Sequence, residues 1–414
     1  MTQILILGAG FGGVWAAEAL AKQPAQVLIL DKNNYHTFLP LLYQVAAAEL
    51  EPERIAQPVR SIIRQRNNVR FALQEVVGVD LAAQTVQTAV GQTLAYDYLL
   101  IALGSTNHYF GIPGAAEHSF TLKSVEEGIA LRNHILRCVE KAARETDTAV
   151  RRQLLTFVII GGGPTGVEYA GALSELLYQP LDKDFPELDL RHEAKVVLVE
   201  AADGLLRGIG GGDYALQRLQ RMGVDVRLNT QVSEIQADAV TLNKGETIIP
   251  TVSPIWTAGV QGVPLAQLDL PRVRGGRLAV RPTLQVEGHD NVFVVGDLAY
   301  LEQDGQMLPG VAQVAMQGGR HAAQNILRHL AGQSLLPFRY KDKGAMATIG
   351  RNAAVANIGG RQFTGFVAWV LWLVIHIFFL IGFRNRIGVL TNWAWNYLFY
   401  ERVVRLILPS KRVE

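Results

Sequence analysis

Two stretches of the chain show the same order of apolar and small residues. In the first, an apolar run at 4–7 precedes a glycine cluster, a segment of small residues and a second apolar run that ends at Asp31. In the second, apolar residues 155–160 precede another glycine cluster, and apolar residues 195–199 are followed by Glu200. Each stretch predicts a strand, a tight turn, a helix and a strand that ends in a carboxylate. The repetition indicates an internal duplication of one dinucleotide-binding unit.

The first glycine cluster has the spacing of a dinucleotide-binding turn. Gly8 permits the turn, Gly10 lets backbone approach a pyrophosphate, and Gly13 lets the helix lie close to the strand. A pyrophosphate there meets free N–H groups at the positive end of a helix dipole. Asp31 follows 23 residues after Gly8, where a carboxylate can accept hydrogen bonds from an adenosine ribose. The cofactor-binding candidates of this turn are Gly8, Gly10, Gly12, Gly13 and Asp31.

The second cluster places Gly161, Gly163 and Gly166 at the same spacing. Its terminal acid, Glu200, follows 39 residues after Gly161, whereas the usual separation is roughly 20. Residues 178–192, which are charged and contain two prolines, are interpreted as an insertion between helix and strand. These three glycines and Glu200 are candidates for a second nucleotide.

Three further predicted strands end at glycines. The strand at 96–104 ends at Gly104, the strand at 254–259 ends at Gly259, and residues 291–297 end in Gly296 and Asp297. Ligands of open α/β sheets bind at such carboxyl ends. Asp297 has two interpretations at this point, a ligand of ribityl or ribose hydroxyls and a helix N-cap.

A helix predicted to begin at Ala312 carries Gln313 and Gln317 on one face. The two amides either donate to a ligand carbonyl or belong to a solvated face. Upstream, residues 33–46 form an aromatic segment that either lies along a cofactor or packs as a loop, and its His36 favours a structural role. Residues 124–144 predict one long connector helix with a capping-box-like start.

The C-terminal 50 residues differ from the rest. Residues 366–383 contain one ionisable group, His376, and as a helix they would span about 27 Å. A second apolar helix is predicted from about 388 to 408, and four of the six tryptophans lie in this region. Three interpretations are open: spanning helices, helices lying in one leaflet, and an oligomer interface. The Trp and Arg interruptions favour helices in the interface, and His376 is either functional or a hydrogen-bonded bystander.

Composition narrows the function classes. The net charge of +2 gives no indication of a nucleic-acid partner. The single cysteine, Cys138, excludes a disulfide framework, a cysteine-based metal cluster and a redox-active cysteine pair, and no metal is predicted. No signal peptide precedes the first strand, which predicts a cytosolic start. The mean hydropathy of +0.15 is high for a soluble protein and reflects the C-terminal region.

Together these motifs resemble the type II NADH:quinone oxidoreductases, single-chain, non-pumping respiratory flavoproteins with two dinucleotide-binding domains. The glycine turns are generic to that class of enzyme. More specific are three features: the segment Tyr-His-Thr-Phe-Leu-Pro-Leu-Leu-Tyr-Gln-Val-Ala at 35–46, the motif Ala-Gln-Val-Ala-Met-Gln at 312–317, and the hydrophobic basic tail.

The resemblance implies one tightly bound FAD on the first turn, with Asp31 and Asp297 as ligands. It implies NADH on the second turn with Glu200 at the ribose, and a carboxylate there should repel the 2′-phosphate of NADPH. It also places Glu168 near the nicotinamide–flavin contact and a membrane quinone beside Gln317. The remaining cofactor-binding candidates are Gly104, Gly259, Gly296, Ala312 and Gln313. Glu168 and Gln317 are the catalytic candidates, and Gln317 and His376 are the quinone-site candidates.

The predicted fold class is α/β, with two Rossmann-like domains and a C-terminal helical membrane-anchoring region. The predicted domains are an FAD domain at 1–115 and 275–345, an NADH domain at 116–274 and an anchor at 346–414. The predicted function is oxidation of NADH with two-electron reduction of a membrane quinone. The resemblance implies monotopic attachment to the cytoplasmic face of the cell membrane and leaves a homodimer open. The alternatives are a reductase of another acceptor and a non-enzymatic FAD/NADH-binding redox sensor.

Overall fold

The computed structural model describes residues 1–407, except 266, 267, 269, 400 and 403. The predicted end of the second C-terminal helix, at about residue 408, lies outside the described residues. The chain forms two compact units. The first unit comprises Met1–Thr37, Ala56–Thr106 and Val260–Asp342, and the second comprises Phe38–Ile55, Asn107–Gly259 and Lys343–Glu414.

A six-stranded sheet forms the centre of the first unit. In spatial order its strands are Gln285–Val286, His289–Val294, Tyr98–Ile101, Thr2–Leu7, Ala25–Asp31 and Val69–Leu73. All neighbours are parallel except the first two. Every residue of Tyr98–Ile101 is buried, as expected for a central strand of a parallel sheet that is covered on both faces.

Two longer helices accompany this sheet, Phe11–Leu20 and Ala312–Leu330. They pack closely, because a Cβ added at Gly319 would lie 2.2 Å from the Gly12 carbonyl oxygen. The other helical turns are Val59–Ile62, Arg274–Gly276 and Gly296–Leu298. The small sheets comprise the strands Val76–Asp80, Thr85–Thr88 and Thr93–Ala95; Tyr35–Thr37 and Ala56–Pro58; Arg272–Val273, Arg277–Ala279 and Ala299–Tyr300; and Glu302–Gln303 and Gln306–Met307.

A five-stranded parallel sheet forms the centre of the second unit. Its strands in spatial order are Phe120–Thr121, Ser253–Trp256, Thr156–Ile160, Lys195–Val199 and Val224–Arg227. Two antiparallel sheets accompany it, one of Val232–Ile235, Ala239–Leu242 and Thr247–Pro250, the other of Ala345–Thr348, Ala354–Ile358 and Arg361–Thr364. The short strands Ser105–Asn107 and Val260–Gly262 lie where the chain passes between the units.

The predicted connector helix runs over Val125–Ala142. Its start is capped, because the Glu127 N–H donates to Ser124 Oγ while Glu127 Oε2 accepts the N–H of Lys123, one residue before the N-cap. The remaining helices of the second unit are Leu39–Leu41, Leu42–Ala46, Pro52–Ile55, Ala115–His118, Thr148–Leu154, Pro164–Leu176, Leu177–Leu181, Asp182–Asp184, Leu190–Glu193, Gly212–Arg221, Asn243–Gly245, Gly365–Phe379 and Phe383–Phe399.

The residues interpreted as an insertion extend the helix that follows the second glycine turn. After Leu176 the chain continues through one π-helical turn, Leu177–Leu181, and then through two short helices. This excursion accounts for the long separation between Gly161 and Glu200. The strand Lys195–Val199 still pairs in parallel with Thr156–Ile160, so the insertion leaves the sheet order unchanged.

The C-terminal helix pair, Gly365–Phe379 and Phe383–Phe399, differs from the predicted bounds. The apolar run at 366–383 is broken between the helices, where Gly382 has a φ of +93°. Arg386 stabilises the break, since its guanidinium donates to the carbonyl oxygens of Leu380 at 2.7 Å and Phe378 at 2.9 Å. Hydropathy stays high through this point as far as Phe383, so the first predicted helix extends beyond the observed end at Phe379.

Among the described residues, no helix combines the length and the apolar character needed to cross a membrane.

The predicted α/β class is confirmed, with a parallel sheet in each unit and a helical C-terminal region. The compact units follow different boundaries from the predicted domains, because residues 38–55 and 343–414 pack into the second unit. One direct link is the Trp393 indole N–H, which donates to Gln44 Oε1 at 2.9 Å. The assignment of one ligand to each predicted domain stays a prediction.

Candidate active site

The first glycine turn has backbone geometry that only glycine meets easily. Gly8 has a φ of +99°, and a Cβ there would lie 2.5 Å from the Ala102 carbonyl oxygen. A Cβ at Gly13 would lie 1.8 Å from the Gly8 carbonyl oxygen. Gly10 is the N-cap residue of the helix Phe11–Leu20, and a Cβ there would meet no described atom within 4 Å. The turn therefore combines a tight backbone with an open approach to the helix N-terminus.

Asp31 closes this turn from the end of the second strand. Its Oδ2 accepts the Ala9 N–H at 2.7 Å and its Oδ1 accepts the Asn33 N–H at 2.7 Å. Burial raises the pKa of the carboxyl, and these two backbone hydrogen bonds partly oppose that rise. Each carboxylate oxygen has a second lone pair, so Asp31 can accept ligand hydroxyls while it holds the turn.

His36 supports the same turn from behind. The ring is buried, and Nδ1 lies 2.9 Å from the Ala9 carbonyl oxygen, to which it donates. Burial lowers the pKa of His36 to about 4, so the ring is neutral at physiological pH. Its edge and faces contact Phe11 and Trp15. This environment agrees with the structural role that its isolated position in the sequence favoured.

Asp297 follows the strand His289–Val294 in a short helical turn, Gly296–Leu298. The Ser105 hydroxyl donates to Asp297 Oδ2 at 2.7 Å, one residue after Gly104 with its φ of +73°. Two strand ends thus bring Gly104, Gly296 and Asp297 to the carboxyl edge of one sheet. Ser105 was missed by the sequence reasoning, although its position directly after a strand-ending glycine was a usable signal.

Ala312 and Gln313 lie in the first turn of the helix Ala312–Leu330, and Gln317 lies one turn later. The Gln317 side chain bonds to the backbone of a single residue: its Nε2 donates to the Lys341 carbonyl oxygen and its Oε1 accepts the Lys341 N–H, both at 3.0 Å. Both amide atoms are therefore oriented by the backbone. The Oε1 and the second Nε2 hydrogen retain capacity for a further partner.

The first unit fits a dinucleotide. The open helix N-terminus at Gly10 suits a pyrophosphate, because its free N–H groups and helix dipole favour negative charge. A carboxylate at the end of the next strand, Asp31, suits ribose hydroxyls. Asp297, at a second strand end of the same sheet, offers a further carboxylate for hydroxyl groups.

The second glycine turn repeats this geometry in the second unit. Gly161 has a φ of +114°, and a Cβ at Gly166 would lie 1.9 Å from the Gly161 carbonyl oxygen. Gly163 is the N-cap of the helix Pro164–Leu176, and a Cβ there would meet no described atom within 4 Å. Glu200 accepts the Gly162 N–H at 2.6 Å and the Ala202 N–H at 2.7 Å, one on each oxygen. The acid therefore closes its turn as Asp31 closes the first.

Gly259 lies beyond the strand Ser253–Trp256 of the same sheet. It has a φ of +68°, and a Cβ there would lie 2.4 Å from the Phe110 ring. Phe110 is itself exposed and contacts Trp256 and His108. The aromatic cluster fixes the backbone at Gly259, and sequence reasoning did not identify Phe110.

Glu168 lies on the helix Pro164–Leu176, two residues after Gly166, and is buried. Its Oε1 accepts the Thr348 N–H at 3.3 Å. Burial raises the pKa of Glu168 to about 8, and the Thr348 N–H and the Trp372 indole oppose that rise only in part. The carboxyl is therefore largely protonated at pH 7 and can donate a proton.

A cavity of about 420 Å³ adjoins Glu168 within the second unit. One end is aromatic and apolar, and the other end is ionic. The residues of the aromatic end include Tyr43, Trp369, Trp372, Leu373, Leu390 and Trp393, and those of the ionic end include Glu49, Glu175, Arg351 and Arg402. Leu390 and Leu398 line the cavity and are also exposed, so it reaches the surface at the helix pair.

His376 stacks on a wall of this cavity rather than lining it. Its ring lies 3.9 Å from the Trp372 ring, centroid to centroid, and its Nδ1 lies 2.7 Å from the Trp372 carbonyl oxygen. Burial lowers the pKa of His376 to about 4, so the ring is neutral and Nδ1 donates to that carbonyl. His376 therefore contacts the aromatic end of the cavity by way of the Trp372 ring. His376 and Glu168 belong to the same unit.

The ionic end is built on Arg402. Its guanidinium contacts Glu49 at 2.7 Å and Glu175 at 3.2 Å, and it donates to the carbonyl oxygens of Ala47 and Ala172 at 2.7 Å each. Arg402 is buried, so this cation is desolvated and compensated by its partners. Sequence reasoning identified neither Arg402 nor the two glutamates as site residues.

Comparison with known proteins gives consistent results. Residues 2–319 match the family described as pyridine nucleotide-disulphide oxidoreductase, and residues 343–401 match the NDH2 C-terminal domain. The chain is 38% identical over 416 residues to the type II NADH:quinone oxidoreductase Ndh of Mycobacterium tuberculosis, covering 97% of this chain and 89% of that protein. It is 31% identical to a type II NADH:quinone oxidoreductase of Staphylococcus haemolyticus, over 88% of this chain and 91% of the relative.

Solved structures share the fold. The structure of NDH2 from Plasmodium falciparum in complex with NADH superposes with a TM-score of 0.89 at 19% identity, covering 99% of this chain and 100% of that one. The sulfide:quinone oxidoreductase of Aquifex aeolicus superposes with a TM-score of 0.73 at 18% identity, covering 97% and 96%.

Proposed function

Because this chain belongs to the type II NADH:quinone oxidoreductases, we propose that it oxidises NADH through FAD and reduces a quinone drawn from a membrane. The observation that supports the quinone half is the cavity, which joins the exposed C-terminal helix pair to the buried carboxyl of Glu168. An apolar entrance suits a lipophilic acceptor, and a protonated carboxyl in the wall of the cavity suits a reaction that consumes protons.

We propose that the first unit holds one FAD per chain. Gly8, Gly10, Gly12 and Gly13 would hold the pyrophosphate, Asp31 the ribose and Asp297 the ribityl hydroxyls. Gly104, Gly296, Ala312 and Gln313 would line the remainder of the site. The flavin, when bound, supplies the chemistry that accepts a hydride from NADH and passes two electrons to the quinone.

The second unit would bind NADH as the substrate. Gly161, Gly163 and Gly166 would hold its pyrophosphate, and Glu200 would bind its adenosine ribose. Gly259, near the sheet edge, would let the backbone approach the nucleotide closely. Glu200 already accepts two backbone N–H groups, and its carboxylate would lie beside the ribose. That charge repels a 2′-phosphate, so NADH is preferred over NADPH.

Glu168 would hold and donate a proton during quinone reduction. Its burial keeps the carboxyl protonated near pH 7, and the Thr348 N–H keeps one oxygen fixed in position. His376 would act at the quinone site as a neutral ring, since its Nδ1 is bonded to the Trp372 carbonyl and its Nε2 can accept a hydrogen bond. Gln317 would donate to a quinone carbonyl from an amide that Lys341 keeps oriented.

We propose monotopic attachment to the cytoplasmic face of the cell membrane through the helix pair. Along the first helix, apolar residues are exposed in a stripe with helical spacing: Phe366, Val367, Val370, Val374 and Phe378. Arg384 follows at the start of the second helix, where it can meet lipid headgroups. The double variant Phe366→Asp/Phe378→Asp should no longer bind lipid vesicles. The control Ile248→Asp changes an exposed apolar residue elsewhere in the same unit and should remain bound.

The variant Gln317→Ala tests the quinone assignment. NADH should still bleach the flavin, while steady-state turnover with a short-chain quinone should fall about tenfold or more, because the carbonyl loses its donor. Gln333→Ala, at an exposed glutamine just beyond the end of the same helix, is the control and should keep full turnover. Unimpaired quinone reduction in Gln317→Ala would remove Gln317 from the site.

A further inference from the structure

The reaction needs a proton from solvent, and Glu168 is poorly placed to receive it directly. A quinone gains two electrons and two protons, whereas NADH supplies a hydride, which is equivalent to two electrons and one proton. The second proton comes from solvent in every turnover. Glu168 is 8% exposed and lines the cavity. A more exposed group that can hold a proton would give this proton a shorter path from solvent.

The ionic end of the cavity offers such a group. Glu49 is partly exposed whereas Glu168 is buried, and both residues line the same cavity. Resting on the proposed function, we propose that Glu49 takes a proton from solvent and passes it along the cavity, by way of the Tyr43 hydroxyl, to the carboxylate of Glu168. Glu168 becomes neutral, Glu49 becomes ionised, and Arg402 compensates the new charge.

The Tyr43 hydroxyl interacts electrostatically with both carboxyls. Burial raises the pKa of Tyr43 well above its usual range, and the negative charges of Glu168 and Glu49 both raise it further. The hydroxyl lies 3.0 Å from Thr348 Oγ1 and accepts the Gln44 amide N–H at 3.0 Å. Thr348 also donates its backbone N–H to Glu168, so the Tyr43 hydroxyl and the acceptor carboxyl both bond to this one residue.

The charges around the cavity favour one protonated carboxyl among the three. Three carboxyls, Glu49, Glu168 and Glu175, lie with two guanidiniums, Arg351 and Arg402. Full ionisation would leave one uncompensated negative charge in a desolvated region, so one carboxyl favours its neutral form. Glu401 also lines the cavity but is exposed at the rim, where solvent screens it.

Both carboxyls can hold a proton near neutral pH. Burial raises the pKa of Glu49 to about 7; Arg402 and Arg351 oppose the rise and Glu175 adds to it. Burial raises the pKa of Glu168 to about 8. Glu49 can therefore be reloaded from solvent near neutral pH, and an ionised Glu168 can accept its proton.

Rapid mixing of the flavin-loaded enzyme separates the two halves of the reaction. In Glu49→Gln, NADH should reduce the flavin at the wild-type rate, whereas reoxidation by a short-chain quinone should slow about tenfold, because the relay is interrupted. The rate of reoxidation should also lose its dependence on an ionisation near pH 7. Glu53→Gln, which removes an exposed carboxylate from the same segment, is the control and should match the wild type.

Glu175→Gln distinguishes proton transfer from mere compensation of Arg402. Glu175 raises the pKa of Glu49, so its neutralisation should move the inflection to lower pH without abolishing it. Glu49→Asp, which keeps an ionisable group, should retain an inflection with a slower rate, and it carries the test if Glu49→Gln fails to hold flavin. Equal losses in Glu49→Gln and Glu175→Gln, or wild-type reoxidation in Glu49→Gln, would overturn the relay. Failure of the wild type to reduce any quinone would instead overturn the proposed function.

Discussion

The two helices that follow the glycine turns begin alike and serve different purposes. In both, the last glycine of the turn packs against the carbonyl of the first, and a valine follows it. Two residues after that glycine, the first helix has Trp15 and the second has Glu168. Trp15 packs against Phe11 and His36 behind the turn, whereas Glu168 adjoins a cavity.

The faces of the two helices explain this divergence. The first helix ends at Leu20 and packs backbone against backbone with the helix Ala312–Leu330 at Gly12 and Gly319. The second helix is longer and meets the turn at Gly350, where a Cβ at Gly171 would lie 2.8 Å from the Gly350 nitrogen. Glu168 and Glu175, seven residues apart, occupy one face of it. We propose that this face handles protons in the second helix, whereas the first helix has Trp15 at the position that matches Glu168.

The largest expected effect comes from the glycines that the two turns share. Gly13→Ala should abolish flavin retention, since its Cβ would lie 1.8 Å from the Gly8 carbonyl oxygen. Gly166→Ala, with its Cβ 1.9 Å from the Gly161 carbonyl oxygen, should retain flavin but lose reduction by NADH. The flavin absorbance of the purified variants and their bleaching by NADH check both. Flavin loss in Gly166→Ala alone would reverse the assignment of the two turns.

The next largest effect is expected from substitutions at the matching positions of the two helices, Glu168 and Trp15. Glu168→Gln should lower quinone turnover about a hundredfold, the usual loss when a general acid is removed, while NADH still bleaches the flavin. Trp15→Phe, at the matching position of the first helix, should lower flavin retention slightly and leave the turnover per bound flavin unchanged. Pre-steady-state absorbance of the flavin measures both. Full turnover in Glu168→Gln would exclude Glu168 as the proton donor.

A smaller effect concerns the terminal acids of the two turns. Glu200→Gln removes the charge that repels a 2′-phosphate, so the ratio of kcat/KM for NADH to that for NADPH should fall about tenfold. Asp31→Asn should weaken flavin retention and leave that ratio unchanged, because it belongs to the other unit. Steady-state rates with both nucleotides provide the comparison, and a changed ratio in Asp31→Asn would contradict it.

The smallest effect is on stability. Since burial raises the pKa of Glu168 from 4.5 to about 8, the folded protein holds this proton more tightly than the unfolded chain. The free energy of unfolding therefore falls as pH rises through that interval, and Glu168→Gln should lack this part of the fall. Thermal melts at pH 6 and pH 9 check the sign: the wild type should lose more Tm than the variant. An equal loss would indicate that Glu168 is ionised in the folded protein.

Local sequence patterns predicted the two glycine turns, but they could not predict contacts between residues that are far apart in the sequence. Glycine spacing, flanking apolar strands and terminal acids are properties of short segments, so Gly8, Asp31, Gly161 and Glu200 are identifiable from order alone. The meeting of Glu49 with Arg402 depends on how residues from opposite ends of the chain pack, which no local pattern encodes. The break at Gly382 was predicted a few residues too late, because the chain stays apolar up to Phe383.

The most direct test of the account is anaerobic rapid mixing of the wild-type enzyme with NADH and then with a short-chain quinone. The account predicts that NADH bleaches the flavin absorbance and that the quinone restores it within the time of one steady-state turnover, with one hydroquinone formed for each NADH consumed. Bleaching without recovery in the presence of quinone, or recovery far slower than steady-state NADH oxidation, would contradict it.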